Sequence, residues 1–107
     1  MIYTISEIRD LITPVAKKYN LKAVYLFGSY ARGSATEDSD IDLLVDLSGS
    51  NVRGILLGQL YNDFKEALRM DIDLITVASL AQPVMHQSDV PFRETVLKER
   101  RIIYAAA

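Results

Sequence analysis

The residues of this chain best suited to chemistry lie in two short runs, Gly28-Ser29-Tyr30-Ala31-Arg32-Gly33 and Ser39-Asp40-Ile41-Asp42-Leu43-Leu44-Val45. In the second run two aspartates stand two apart on an apolar stretch that reads as a strand. Side chains alternate across a strand, so Asp40 and Asp42 point to the same face. Carboxylates that close repel each other, which raises the pKa of one unless a cation stands between them. Mg²⁺ fits that place, because it takes hard oxygen ligands, often one or two carboxylates together with phosphate oxygens. In the first run a Gly-Ser turn opens a short helix and offers backbone N–H groups to a phosphate. A phosphate cradle beside paired metal carboxylates describes a nucleotide-handling site.

A third carboxylate comes from Asp71-Ile72-Asp73-Leu74-Ile75. Asp71 and Asp73 share a face by the period of two. Asp71 sits where the strand begins and Asp73 lies further in, which favours Asp73 as the site residue. Two carboxylates from one strand and one from its neighbour hold two metal ions ~4 Å apart, a clamp for the attacking and leaving oxygens of an in-line displacement. The third carboxylate is also placed to take the proton of an attacking hydroxyl.

The elements that must position these groups read as follows. Residues 4–19 form a helix, with Ile5, Ile8, Ile12, Val15 and Tyr19 at helical spacing and Thr4 or Ser6 as cap. Pro14 predicts a kink or break near Ile12. Asn20 ends the helix in a left-handed position. Strands are expected at 22–27, 40–47, 71–77 and 101–104, and the second is expected to be central and buried on both faces. Short helices fall at 29–33 and 91–99, the latter with Pro91 in its first turn. The longest helix, 52–69, carries Val52, Ile55, Leu56, Leu60, Phe64, Ala67 and Leu68 on one side. Leu57 and Tyr61 widen that stripe beyond one core-facing stripe. They are either covered by their own domain or form a partner surface. The stretch Leu80–Asp89 reads as irregular or a short turn of helix.

Bulk properties narrow the field. A length of 107 residues suits one domain, 1–105, and Ala106 and Ala107 read as an appended tail. There is no cysteine and one histidine, which excludes disulfides and argues against structural zinc. The net charge of -2 gives no sign of a broad nucleic-acid surface. No apolar run is long enough for a membrane span, and no signal pattern opens the chain, so a cytoplasmic protein is expected.

Taken together, the Gly-Ser run, the Asp-x-Asp run and Asp73-Leu74-Ile75-Thr76 resemble the signature of the minimal nucleotidyltransferases. These are a single-domain branch of the DNA polymerase β-like superfamily. The resemblance spans essentially the whole chain. It implies an α/β (α+β) fold, with a mixed sheet of about four strands flanked by helices, that uses Mg²⁺ and ATP. Gly28 and Ser29 would hold the triphosphate, Asp40 and Asp42 would bind metal, and Asp73 would act as metal ligand or base. It also implies a partner, a HEPN-domain toxin RNase on which the antitoxin places AMP at a tyrosine; self-association is the alternative. Two other functions compete: an antitoxin that neutralises its partner by occlusion, and a small-molecule nucleotidyltransferase. The last would need a second domain to enclose its acceptor.

Around this core several residues have two readings. Arg32 either reaches phosphate or pairs with Glu37 or Asp38. Ser39 either joins the nucleotide site or holds the loop that presents Asp40. Asp46 reads as a solvent-facing strand end, Asp38 as a loop cap and His86 as a surface residue. The basic segment of Arg93, Lys98, Arg100 and Arg101 reads as a solvated face, with contact to substrate or RNA as the alternative.

Overall fold

The computed structural model describes residues 2–81 and 89–106. In chain order the elements are α1 (Ile5–Lys18), β1 (Ala23–Phe27), α2 (Gly28–Arg32), β2 (Ile41–Asp46), α3 (Ile55–Leu68), β3 (Ile72–Thr76), α4 (Val77–Ala81), α5 (Asp89–Glu99) and β4 (Arg101–Ala105). The four strands form one mixed sheet in the order β3-β2-β1-β4. β1 is antiparallel to β2 and to β4, while β2 and β3 run parallel. A parallel pair needs a long crossover, which α3 supplies.

The alternation along each strand sorts the side chains into two faces. Val24, Leu26, Ile41, Leu43, Val45 and Ile72 meet Ile8, Ile12 and Ala16 of α1 and Leu60, Phe64 and Leu68 of α3 in the main core. On the opposite face Phe27 and Leu44 pack with Val96 of α5 in a smaller cluster. Asp42 precedes Leu44 by two, so it shares this second, less covered face. β2 is central, and its buried residues lie on both faces as expected.

Local signals mostly act where they were read. Thr4 caps α1 in a reciprocal box with Glu7, and Asn20 adopts φ 54° just beyond the helix. Three readings are corrected. Pro14 does not break α1, which runs on to Lys18. Buried Ile8, Ile12 and Ala16 lie on both sides of the proline, and their packing outweighs one lost hydrogen bond. α3 begins at Ile55 rather than 52, so Ile55 is 83% exposed instead of facing the core. Leu57 and Tyr61, by contrast, pack against the main core, and the Tyr61 hydroxyl reaches the Ile72 carbonyl at 3.4 Å. They are the margin of the core, not a free stripe. Val77 opens α4 rather than ending β3. The Ala106 N–H donates to the Lys22 carbonyl and prolongs the β1–β4 pairing. Residues 82–88, with His86 and Pro83, lie outside the described residues.

Candidate active site

β2 and β3 pair in a register that sets Asp42 directly beside Asp73. Phe27 lies opposite Asp42 on the other side, so the chain leaves β1 and turns into α2 just beside this carboxylate. Gly28 makes that turn at φ 72°, and a Cβ there would overlap the Asp42 carboxylate. Only glycine meets both demands at low cost. α2 follows, and Gly33 closes it in a left-handed conformation.

The Asp42 carboxyl is pushed up to about 6. Burial is the main cause, followed by a hydrogen bond and repulsion from Asp73 and then by the charge of Asp40; Arg32 acts the other way. The repulsion expected between Asp40 and Asp42 is present, but it is the smallest of the causes that raise Asp42, behind burial and Asp73. Asp40 lies just ahead of β2 and is exposed, close enough for its charge to be felt at Asp42. Asp71 lies before β3, where its carboxylate meets Lys65 at 3.3 Å and its carbonyl accepts from the Ile41 N–H. The structure thus brings Asp73, and not Asp71, to Asp42.

A cleft of about 540 Å³ opens over this pair. Gly28, Ser29, Arg32, Asp42 and Asp73 form its polar side, while Phe27, Ile75, Phe92 and Val96 form an apolar wall. Ser39 stays outside the cleft lining: its hydroxyl accepts from the Thr36 N–H at 2.9 Å and ties the loop that carries Asp40. Asp38 joins the same loop through its N–H and the Thr36 hydroxyl. Asp46 accepts from the Ser48 N–H at 2.9 Å, and its pKa is lowered first by the Ser48 side chain and then by this backbone bond. Arg32 reaches Glu99 of α5 at 2.9 Å.

Sequence reasoning missed the contribution of α5. Phe92, Val96 and Glu99 recur at i, i+4 and i+7 and line the cleft together. That spacing was the available signal, but the basic residues around it pointed first to a solvated face. Of those, Arg100 stacks over the Tyr25 ring at 4.8 Å.

The residues suit a hard divalent cation, because the donors are carboxylate oxygens throughout. Among the described residues no three acidic or histidine side chains are gathered closely enough to cage an ion unaided. Mg²⁺ does not require such a cage: it keeps waters and borrows phosphate oxygens from its substrate. The apposed carboxylates of Asp42 and Asp73 suit that habit, while Asp40, just ahead of β2, lies outside the cleft lining and reaches Asp42 by its charge.

The sequence matches a known family: the model described as polymerase beta, nucleotidyltransferase, covers residues 10–106. The chain belongs to this family. Among related nucleotidyltransferases, a provisionally named protein adenylyltransferase of Methanocaldococcus jannaschii is 37% identical over 90 residues, covering 79% of this chain and 90% of that protein. Protein adenylyltransferase MntA of Thermococcus cleftensis is 32% identical over 101 residues, covering 90% of this chain and 92% of that one. A Shewanella oneidensis complex of a tri-AMPylated HEPN toxin with an MNT antitoxin has a similar fold, with TM-score 0.62 and 19% identity over 96% of this chain and 74% of that one. At that identity the likeness speaks for the nucleotidyltransferase fold alone.

Proposed function

We propose that this nucleotidyltransferase transfers AMP from ATP to a hydroxyl of a HEPN-domain toxin, tyrosine being the acceptor, and thereby acts as its antitoxin. The observation that carries the reading is the register of β2 and β3, which opposes Asp42 and Asp73 beside the Gly28 turn. Asp42 and Asp73 would hold Mg²⁺, with Asp40 adding a ligand from the rim; two ions are expected. When bound, the metal neutralises the triphosphate and the charge that develops at the transferring phosphorus.

The chain's own residues supply position and proton transfer. Gly28 and Ser29 let the triphosphate approach the backbone, and Arg32 adds positive charge on the same side. Asp73, exposed at the cleft floor, accepts the proton of the attacking hydroxyl. That oxygen bonds to the α-phosphorus, the bond to the bridging oxygen breaks, and pyrophosphate leaves.

Incubating the protein with labelled ATP, Mg²⁺ and its HEPN-domain partner tests the reading. A mass gain of one or more AMP units on a partner tyrosine is expected. Neutralisation of the toxin without any mass gain would replace transfer by occlusion.

A further inference from the structure

We propose that Glu99 is a positioning residue for nucleotide binding: it fixes the Arg32 guanidinium over the triphosphate side of the cleft. This rests on the nucleotide reading given above and adds a residue that no motif contains. Arg32 ends α2, four residues after Gly28, so both lie on one side of that helix. Among the described residues lining the cleft, Arg32 is the one cation, against Asp42, Asp73 and Glu99. A carboxylate facing a cleft that receives a polyanion opposes binding by its own charge. Glu99 nevertheless stands there, with Nη1 of Arg32 at 2.9 Å from its Oε2.

Stability is a poor reason for the pair. The Arg32 side chain is 48% exposed and that of Glu99 26%, and ion pairs so open to solvent contribute little. Geometry offers a better one. An arginine side chain is long and loses much rotamer freedom when it binds. One bond to Glu99 removes that freedom in advance and leaves the other guanidinium N–H groups for phosphate oxygens. Because Glu99 closes α5 while Arg32 closes α2, the pair also joins the two helices that border the cleft.

The test is a double-mutant cycle read by calorimetry, titrating ATP with Mg²⁺ into wild type, Glu99→Ala, Arg32→Ala and the double variant. Glu99→Gln is run beside them, and melting curves confirm folding. If Glu99 acts through Arg32, Glu99→Ala weakens binding about tenfold in the wild-type background. In the Arg32→Ala background the same change tightens binding about twofold, since one repelling charge is gone. Glu99→Gln, which keeps an acceptor, falls between wild type and Glu99→Ala. Tighter or unchanged binding in the wild-type background would overturn the proposal, as would equal weakening in both backgrounds, the mark of a merely structural role. A flat titration of wild type itself would remove the nucleotide reading, and this inference with it.

Discussion

At Asp42, burial, then the hydrogen bond and charge of Asp73, raise the carboxyl pKa to about 6. An acid with a higher pKa in the folded chain than in the unfolded one binds its proton more tightly when folded. Ionisation therefore costs the fold stability: nothing below the ordinary pKa near 4, the full amount above about 6. In chelator, Asp42→Asn should exceed wild type at pH 7.5 by about 1–2 kcal/mol, after allowing for solvent screening, and match it near pH 3.5. Denaturant melts at the two pH values check this, and the same variant should show no transfer. Gly28→Ala should fail differently. It forces a side chain into the left-handed region and onto the Asp42 carboxylate, at a cost of roughly 1–3 kcal/mol. Loss of both stability and nucleotide binding is expected, read by melting and calorimetry. At this scale periodicity put Asp42 on the right face, whereas choosing Asp73 over Asp71 took its depth in the strand, and Asp40 falls just before β2. The Arg32–Glu99 pair was not legible, because its partners lie 67 residues apart and local spacing says nothing of them.

Among the elements, α3 shows how far an apolar pattern can be followed. Its core-facing residues Leu60, Phe64 and Leu68 were evident from their spacing, whereas the edges of the stripe were not. Which edge is covered depends on where the helix starts and how it lies on the sheet, and neither is encoded in local period. The structure covers Leu57 and leaves Ile55 in solvent. Leu57→Glu should therefore destabilise by about 2 kcal/mol or more, and Ile55→Glu by less than about 0.5 kcal/mol. Equal effects of the two in urea melts would contradict the packing. α1 adds a comparable lesson, since a proline that usually ends a helix is overruled by the burial on either side of it. That outcome belongs to tertiary packing and is invisible in a window of residues.

For the whole molecule, charge and topology set the remaining behaviour. The chain carries a net charge of -2, and its cleft presents more carboxylates than cations. ATP, a polyanion, should bind weakly to the metal-free protein and at least about tenfold more tightly with excess Mg²⁺. Calorimetry with and without chelator measures the difference; equal affinities would argue against Asp42 and Asp73 as metal carboxylates. The mixed sheet has a second consequence, which concerns synthesis. β1 pairs on one side with β4, Ala23 opposite Ala105, so the first strand made waits for the last. At about 5–20 residues per second the ribosome leaves that edge unpaired for roughly 4–16 s. An open edge of apolar strand invites wrong pairing with other chains. Chains cut after residue 100 should consequently collect in the insoluble fraction, while full-length protein stays in solution. Recovery of the shortened chain as a folded monomer would show that β1 needs no such completion. Otherwise nascent chains depend on chaperones or low crowding until β4 arrives, and the yield of working protein is set partly by translation speed between β1 and β4.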